Sequence, residues 1–365
     1  MKIAQIAPLY ESVPPGLYGG TERIVSYLTE ELVRRGHDVT LFASGDSRTS
    51  ATLVPCCRAG LRLDPAVRDP IAYHIAMLDA VRARAETFDI LHFHTDYLHF
   101  PLFRDISERT LTTLHGRLDQ PELRPVFERF ADLPLVSVSG HQRRPMPAVR
   151  WEGTVHHGLP RQLLRPGEGD GGYLAFLGRI SPEKRPDLAI DIAKRAGISL
   201  KIAAKIERTD RDYHETCVAP LLDHPLVEFV GEIGEDRKSE FLGRARALLF
   251  PIDWPEPFGL VLIEAMAAGT PVVAFPAGAV PEIVEHELTG LLVGDPAAAA
   301  AAVAAAGDLD RRAIRARFEE RFSVERMANA YLEIYRRLAD GHQVTNLRTI
   351  EAGLDTPAPV SVVLE

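Results

Sequence analysis

Gly167-Glu168-Gly169-Asp170-Gly171-Gly172, followed at once by the apolar run Tyr173-Leu174-Ala175-Phe176-Leu177, is the stretch on which the fold turns. Pro145, Pro147, Pro160 and Pro166 lie just before it. Prolines resist regular structure and glycines supply freedom, so residues 143–172 read as a boundary between two units and 167–172 as a hinge. Tyr173 to Leu177 then opens a second unit. Pro186 suits the first turn of a helix reaching about Arg195. Further strands are expected at 199–203, 227–230, 247–250 and 271–275. Upstream the same rhythm runs from the start of the chain. Residues 2–7 are apolar, and Ile24, Val25, Leu28 and Leu32 share one helical face that Gly36 closes. Val39 to Ala43 is apolar again, and strand candidates follow at 89–93, 110–114 and 134–138. Strand and helix alternate in both halves, as in parallel sheets covered on both faces. The fold class is α/β, with two doubly wound domains at 1–165 and 172–325, a count that suits 365 residues.

The bulk properties narrow the function. Hydrophobic residues make up 46% and charged residues 25%, enough for a core in each half. A net charge of −9 argues against nucleic acid as a partner. No apolar run reaches the roughly 18–20 residues of a membrane-spanning helix. Pro8 interrupts the first residues too early for a signal peptide, and they read as a strand. Three cysteines, with Cys56 and Cys57 adjacent, give neither a disulfide framework nor a metal-site spacing, which suits the cytoplasm. The alanine run 297–306, between Pro296 and Gly307, is expected as a surface helix without chemistry. Residues 326–340 form a last amphipathic helix, and 341–365, with Pro357 and Pro359, a flexible tail.

Three segments carry chemistry. In Pro255-Glu256-Pro257-Phe258-Gly259-Leu260-Val261-Leu262-Ile263-Glu264-Ala265, Pro257 keeps Glu256 in a loop. Residues 259–268 then form an apolar helix carrying one carboxylate, Glu264. The two glutamates would stand about 9–12 Å apart along the axis at ~1.5 Å per residue. That span fits a ligand with hydroxyls at both ends and an anion between them, seated on the free N–H groups of the helix N-terminus. A nucleoside diphosphate sugar has this layout. A charge embedded in an apolar helix is costly without a partner, which favours this reading over a solvated loop glutamate. The second segment, Gly178-Arg179-Ile180-Ser181-Pro182-Glu183-Lys184, follows a strand and so emerges at the C-terminal sheet edge. There Arg179 can fork onto two diphosphate oxygens and Lys184 adds a point charge. The third, Gly16-Leu17-Tyr18-Gly19-Gly20-Thr21-Glu22, joins the first strand to the first helix and lets the backbone approach a ligand closely.

Together these segments resemble the retaining glycosyltransferases of family 4, the glycosyl transferases group 1, along nearly the whole chain to about residue 340. The most specific part is the Glu256–Glu264 pair with Gly269-Thr270-Pro271-Val272-Val273, Pro281-Glu282-Ile283-Val284 and Gly290-Leu291-Leu292-Val293 after it. The resemblance implies the GT-B architecture: two Rossmann-like domains facing a central cleft, with the last helix crossing back to the first. It implies that Glu256 contacts sugar hydroxyls and Glu264 the ribose. Arg179 and Lys184 hold the diphosphate, Gly19 and Gly20 approach it from the opposite domain, and amides near Phe258, Gly259 and Leu260 face the sugar. His115, in Leu114-His115-Gly116, resembles the family's histidine near the transferred sugar. The implied donor is a nucleotide diphosphate sugar, UDP favoured over GDP or ADP. The acceptor is a sugar, glycan, lipid or small molecule, with no tightly bound cofactor and no metal required. The chain departs from the family at Ala204-Lys205-Ile206-Glu207, where relatives often carry a glycine pair and Lys205 adds a charge. It departs again at His157-Gly158-Leu159-Pro160, whose loop function is not carried over.

His92, His94 and Asp96 alternate along an extended segment and could bind zinc, but a strand end shaping the acceptor side of the cleft is the favoured reading. Asp308-Leu309-Asp310 reads as a turn, not a metal-binding pair. Arg143, Arg144 and Arg150 near Trp151 read as a solvated face, with membrane contact at most peripheral. Rival functions on such a fold are a nucleotide-sugar epimerase, a phosphorylase and a catalytically silent nucleotide-sugar-binding protein. A dehydrogenase is disfavoured by the missing Gly-x-Gly-x-x-Gly.

Overall fold

The protein is described here by a computed structural model covering residues 1–354 apart from Pro147, with 342–354 as helix backbone. Two sheets form the frame. The first holds β1 (Lys2–Ile6), β2 (Asp38–Ser44), β3 (Thr52–Cys57), β4 (Ile90–Phe93), β5 (Thr110–Leu114), β6 (Leu135–Ser137) and β7 (Trp151–Thr154). The second holds β8 (Tyr173–Arg179), β9 (Ser199–Lys205), β10 (Val227–Gly231), β11 (Ala247–Phe250), β12 (Val272–Ala274) and β13 (Gly290–Leu292). The orders are β3-β2-β1-β4-β5-β6-β7 and β10-β9-β8-β11-β12-β13, and every neighbouring pair is parallel. Both are Rossmann-like sheets with helices interspersed, as the alternating apolar runs predict.

In each sheet the strand order reverses once, between β1 and β4 and between β8 and β11. Open α/β sheets bind ligands beyond the carboxyl ends of the strands at such a switch point. The segments leaving these four strands are therefore the ones that matter. They are the Gly19-Gly20 loop after β1, His94 to Asp96 after β4, Arg179 to Lys184 after β8, and Trp254 to Leu260 after β11.

The helices used below are α1 (Gly20–Arg34), α2 (Pro186–Ala196), α3 (Glu235–Gly243), α4 (Leu260–Ala267), α5 (Val280–Ile283), α6 (Pro296–Gly307), α7 (Arg311–Arg321) and α8 (Val324–Leu354). α6 is the alanine-rich helix. It is not merely a surface element, because Ala299, Val303 and Ala306 are fully buried in the cluster that includes Ile190 and Ala193 of α2. Small side chains let the two helices approach. Asp310 accepts from the Arg312 N–H at 2.8 Å and caps α7, which is the turn role expected for residues 308–310.

The sequence predicts a hinge at 167–172, but the structure sews this stretch to the second half. Gly167 N–H donates to Ala268 O, Gly169 N–H to Gly243 O and Gly171 N–H to Arg244 O, at 2.9–3.1 Å. Arg311 Nε adds a 2.7 Å bond to Gly167 O. Composition alone misleads here, since Gly167 packs closely on Gly243 and Gly171 on Tyr173 and Arg244. The chain passes between the sheets at Leu159, which donates to Phe322 O and accepts from Val324 N–H, both at 2.9 Å. Both inter-sheet passages thus run side by side. α8 then returns to the first sheet and buries Tyr331 and Tyr335 against it. It extends past the expected 326–340, so part of the expected tail is helical, while 355–365 lie outside the described residues. Among the described residues no helix is long and apolar enough to cross a membrane.

Candidate active site

The segments from the two switch points face each other across a cleft of about 640 Å³, within the range of small-molecule sites. Every predicted site residue lines it: Gly19, Gly20, His115, Arg179, Lys184, Glu256, Phe258, Gly259, Leu260 and Glu264. Residues about 240 positions apart in sequence therefore meet here. Gly20 and Leu260 show how closely, because a Cβ on Gly20 would lie 3.3 Å from Leu260 Cδ1 of the other sheet's helix.

Glu256 and Glu264 are 6% and 4% exposed, so each carboxylate needs a partner in place. Glu256 pairs with Lys184 and accepts from the Trp254 indole N–H at 2.9 Å. Lys184 Nζ also lies 4.9 Å from the Trp254 ring centroid and 5.5 Å from that of Phe250. Glu264 pairs with Lys238 Nζ at 2.5 Å. Lys238 is a functional residue that sequence reasoning missed. It sits in the charged run Glu235-Asp236-Arg237-Lys238 on α3, and the only signal for it was the requirement that a buried Glu264 find a cation.

The loop carrying Glu256 is held from behind. Ala279 N–H donates to Glu256 O at 2.9 Å, and Gly278, at φ +61°, lies so close that a Cβ would stand 2.2 Å from Glu256 N. Gly278 is a second residue the sequence did not flag. On the opposing loop, Arg179 faces Asp210 at 3.1 Å and Glu183 at 3.6 Å. Lys205 lines the same wall, 3.0 Å from Glu207 and 5.3 Å from the Tyr18 ring centroid. α4 begins at this cleft, which Gly259, Leu260 and Val261 line, so the positive end of the helix adds to the cationic region.

His115 comes from the end of β5. Its Nε2 lies 2.8 Å from His94 Nδ1, and its ring stacks on His157 at 5.2 Å and 16°. His157 packs edge-on against Phe258 at 4.8 Å. The departure at 157–160 thus supplies a wall of the cleft. Burial pushes His115 down to about 3 and His94 and His157 well below the usual histidine range, so all three are neutral at pH 7.

The alternation of His92, His94 and Asp96 does not bring all three to the cleft. His92 faces the side that α8 covers, 2.7 Å from Tyr335 OH and 2.8 Å from Thr113 Oγ1. Only His94 and Asp96 line the cleft. Among the described residues no group of three His, Cys, Asp or Glu side chains is arranged to hold a metal ion. Asp96 sits on left-handed backbone, φ +51°, and is solvent-accessible at the cleft, whose surrounding walls desolvate its carboxyl and raise it to about 6. Arg143, near the proposed solvated face, stacks on Trp151 at 4.9 Å, and Arg150 pairs with Glu152 at 2.8 Å.

Contacts also cross the cleft. Arg23 and Tyr27 of α1 both meet Glu235 of α3, and Tyr18 N–H donates to Glu232 at 3.1 Å. On the other flank Glu282 of α5 accepts from Gly140 N–H at 2.8 Å and His141 N–H at 2.6 Å.

Comparison with known proteins adds to this geometry. Residues 166–321 match the family model Glycosyl transferases group 1, and residues 18–161 match Glycosyltransferase Family 4. A D-inositol 3-phosphate glycosyltransferase of Saccharomonospora viridis is 32% identical over 224 residues, 50% of this chain and 49% of that protein. The chain thus matches about half the length of that curated relative. Sucrose-phosphate synthase of Thermosynechococcus elongatus superposes with a TM-score of 0.77 at 20% identity, over 93% of this chain and all of that one. HepE of Anabaena, solved in complex with UDP-glucose, gives 0.69 at 18% identity, over 94% of this chain and all of that one. At these identities the two structures show a shared GT-B fold.

Proposed function

The chain belongs to the glycosyltransferases of group 1 and family 4, and from that membership we propose that it moves a hexosyl group from a nucleotide diphosphate sugar to an acceptor hydroxyl, with retention at the anomeric carbon. The observation that carries the reading is the pair of buried carboxylates flanking the N-terminus of α4, each matched to a lysine. Such a site has hydroxyl acceptors at both ends and positive charge between. Glu256 orients the sugar and Glu264 takes the ribose hydroxyls. Arg179, Lys184 and Lys205 face the diphosphate with the α4 amides.

The difficult step is departure of the diphosphate, which accumulates negative charge as the sugar–oxygen bond breaks. Fixed cations and amide dipoles stabilise that charge without reorganising. In this reading they take the role a metal would otherwise serve. The acceptor hydroxyl attacks from the face the diphosphate leaves and passes its proton to a departing oxygen, so no protein carboxylate becomes a nucleophile. UDP is favoured as the nucleotide because HepE, of the same fold, was solved with UDP-glucose. The acceptor lies towards Asp96 and Tyr97 on the first domain's wall.

Thermal shifts with UDP, GDP and ADP, their glucose and mannose sugars, and NAD test the reading. At about 100 times its dissociation constant a ligand adds roughly 2.7 kcal/mol. Stabilisation by one nucleotide series supports the proposal and names the base, whereas NAD alone, or none of these, overturns it. Conversion of the sugar nucleotide without acceptor would mark an epimerase. Binding without turnover towards any of a panel of sugars, polyol phosphates and lipid alcohols would mark a silent binding protein.

A further inference from the structure

His115 is clamped by its neighbours, so the remaining question about it is where its single proton sits. Its ring lies against His157, and its Nε2 is 2.8 Å from His94 Nδ1. His94 Nε2 is in turn 2.8 Å from Gln5 Oε1. Gln5 Nε2 donates to Tyr335 OH at 3.1 Å, and Tyr335 belongs to the helix that crosses back from the second domain. The chain of contacts therefore runs from α8, through β1 and β4, to the cleft.

A neutral imidazole has one donor and one acceptor, so each bond fixes the next. Gln5 Oε1 can only accept, which puts the His94 proton on Nε2 and leaves its Nδ1 bare. That bare Nδ1 can only accept, which puts the His115 proton on Nε2. The His115 Nδ1 is then an acceptor, and no described group meets it. His94 and His115 both have their basicity strongly depressed by burial, which keeps the chain neutral and directional.

We propose that Gln5 is a positioning residue that fixes the tautomer of His115 through His94 and leaves its Nδ1, a buried atom at the cleft wall with no described partner, as a bare acceptor. Tyr335 OH lies 2.7 Å from His92 Nδ1 as well, and with its proton directed there it can only accept from Gln5 Nε2, which holds the amide in the required sense. If that amide turned over, every proton in the chain would reverse and His115 would become a donor.

Nitrogen-15 NMR of histidine-labelled, ligand-free full-length protein tests the assignment directly. The His94 and His115 signals are identified by their loss in His94→Gln and His115→Gln. The expected result is a proton on Nε2 of both rings, favoured about fivefold, the ratio one hydrogen bond of ordinary net worth supports. In Gln5→Leu, and in Tyr335→Phe should the first variant not fold, both tautomers of His115 become populated. A wild-type His115 protonated on Nδ1 overturns the proposal, as does a tautomer unchanged in the variants. Because no nucleotide is present, either result stands apart from the thermal-shift test of the donor reading.

Discussion

Gly278→Ala separates the position of Glu256 from its chemistry. Gly278 has φ +61° and its missing Cβ would stand 2.2 Å from Glu256 N and 2.5 Å from Glu256 O. Moving the first contact out to 3.4 Å, where ordinary packing begins, requires a displacement of about 1.2 Å. The obstacle is backbone, so no side chain can turn aside. An L-residue in the left-handed region costs roughly 1–2 kcal/mol and the overpacking roughly 1–3 kcal/mol more, and about 3 kcal/mol lowers the Tm of a domain of 150–250 residues by about 6–12 °C. The protein should therefore fold. A misplacement of about 1 Å costs roughly a hundredfold in rate, so kcat/KM for transfer should fall by about that factor with the nucleotide sugar that stabilises the wild type. Gly294→Ala is the control, since nothing lies within 4 Å of its added Cβ and its backbone is not left-handed. A Gly278→Ala protein that keeps its transfer rate within twofold while its Tm falls would refute the role given to Glu256.

Four other outcomes follow from the same geometry. Arg179→Ala should lower turnover by about 10²–10³-fold, the loss typical of one group that stabilises developing charge; near-normal turnover would remove it from the mechanism. Lys238→Met should weaken UDP binding about tenfold in calorimetry, because it removes the cation that holds the Glu264 carboxylate in place for the ribose hydroxyls; an unchanged affinity would mean that the ribose lies elsewhere. Transfer should fall as pH drops through about 6, where Asp96 takes up a proton, and Asp96→Asn should abolish that limb; an identical profile in the variant would assign the limb to another group. Glu282 is held below the usual carboxylate value, by His156 and by the Gly140 and His141 N–H groups. A lowered folded value means stability present above the unfolded value of about 4.5 and lost as pH falls below it. The Tm should drop on acidification there, less steeply in Glu282→Gln; equal slopes would deny the contact that role.

Much of the fold was legible because buried parallel strands are continuous apolar runs, and those at 90–93, 110–114, 173–179 and 247–250 stand out by composition alone. The strands that escaped are marginal ones. β3 contains Pro55 and two half-buried cysteines at the sheet edge, where a missing N–H is tolerated. β7 is half-buried throughout. At the cleft, Glu256, Glu264, Arg179 and Lys184 were legible because a charge beside an apolar run or at a strand end needs a reason. Lys238, Gly278 and Gln5 were not. Each acts on a residue from another strand or helix, and the need for a lysine opposite Glu264, or a glycine behind Glu256, exists only once those segments are folded together.

The ion pairs at the cleft also bear on what it will hold. Each basic side chain that lines it, among the described residues, already faces a carboxylate. Arg23 meets Glu235, Arg62 Glu11, Arg179 Asp210, Lys184 Glu256, Lys205 Glu207 and Lys238 Glu264. Under the proposed function a diphosphate would bind by exchange, drawing lysines such as Lys184 away from their buried glutamates. Bare pyrophosphate would leave Glu256 and Glu264 charged, buried and unpartnered, which costs several kcal/mol per ion. A nucleotide sugar brings hydroxyls to both carboxylates as it takes their cations, so the exchange balances. On that reading the same pairs that hold the empty cleft together would select for the whole donor over its anionic fragment. Complete recognition of sugar, diphosphate and ribose would then be what lets the lysines turn to the leaving group.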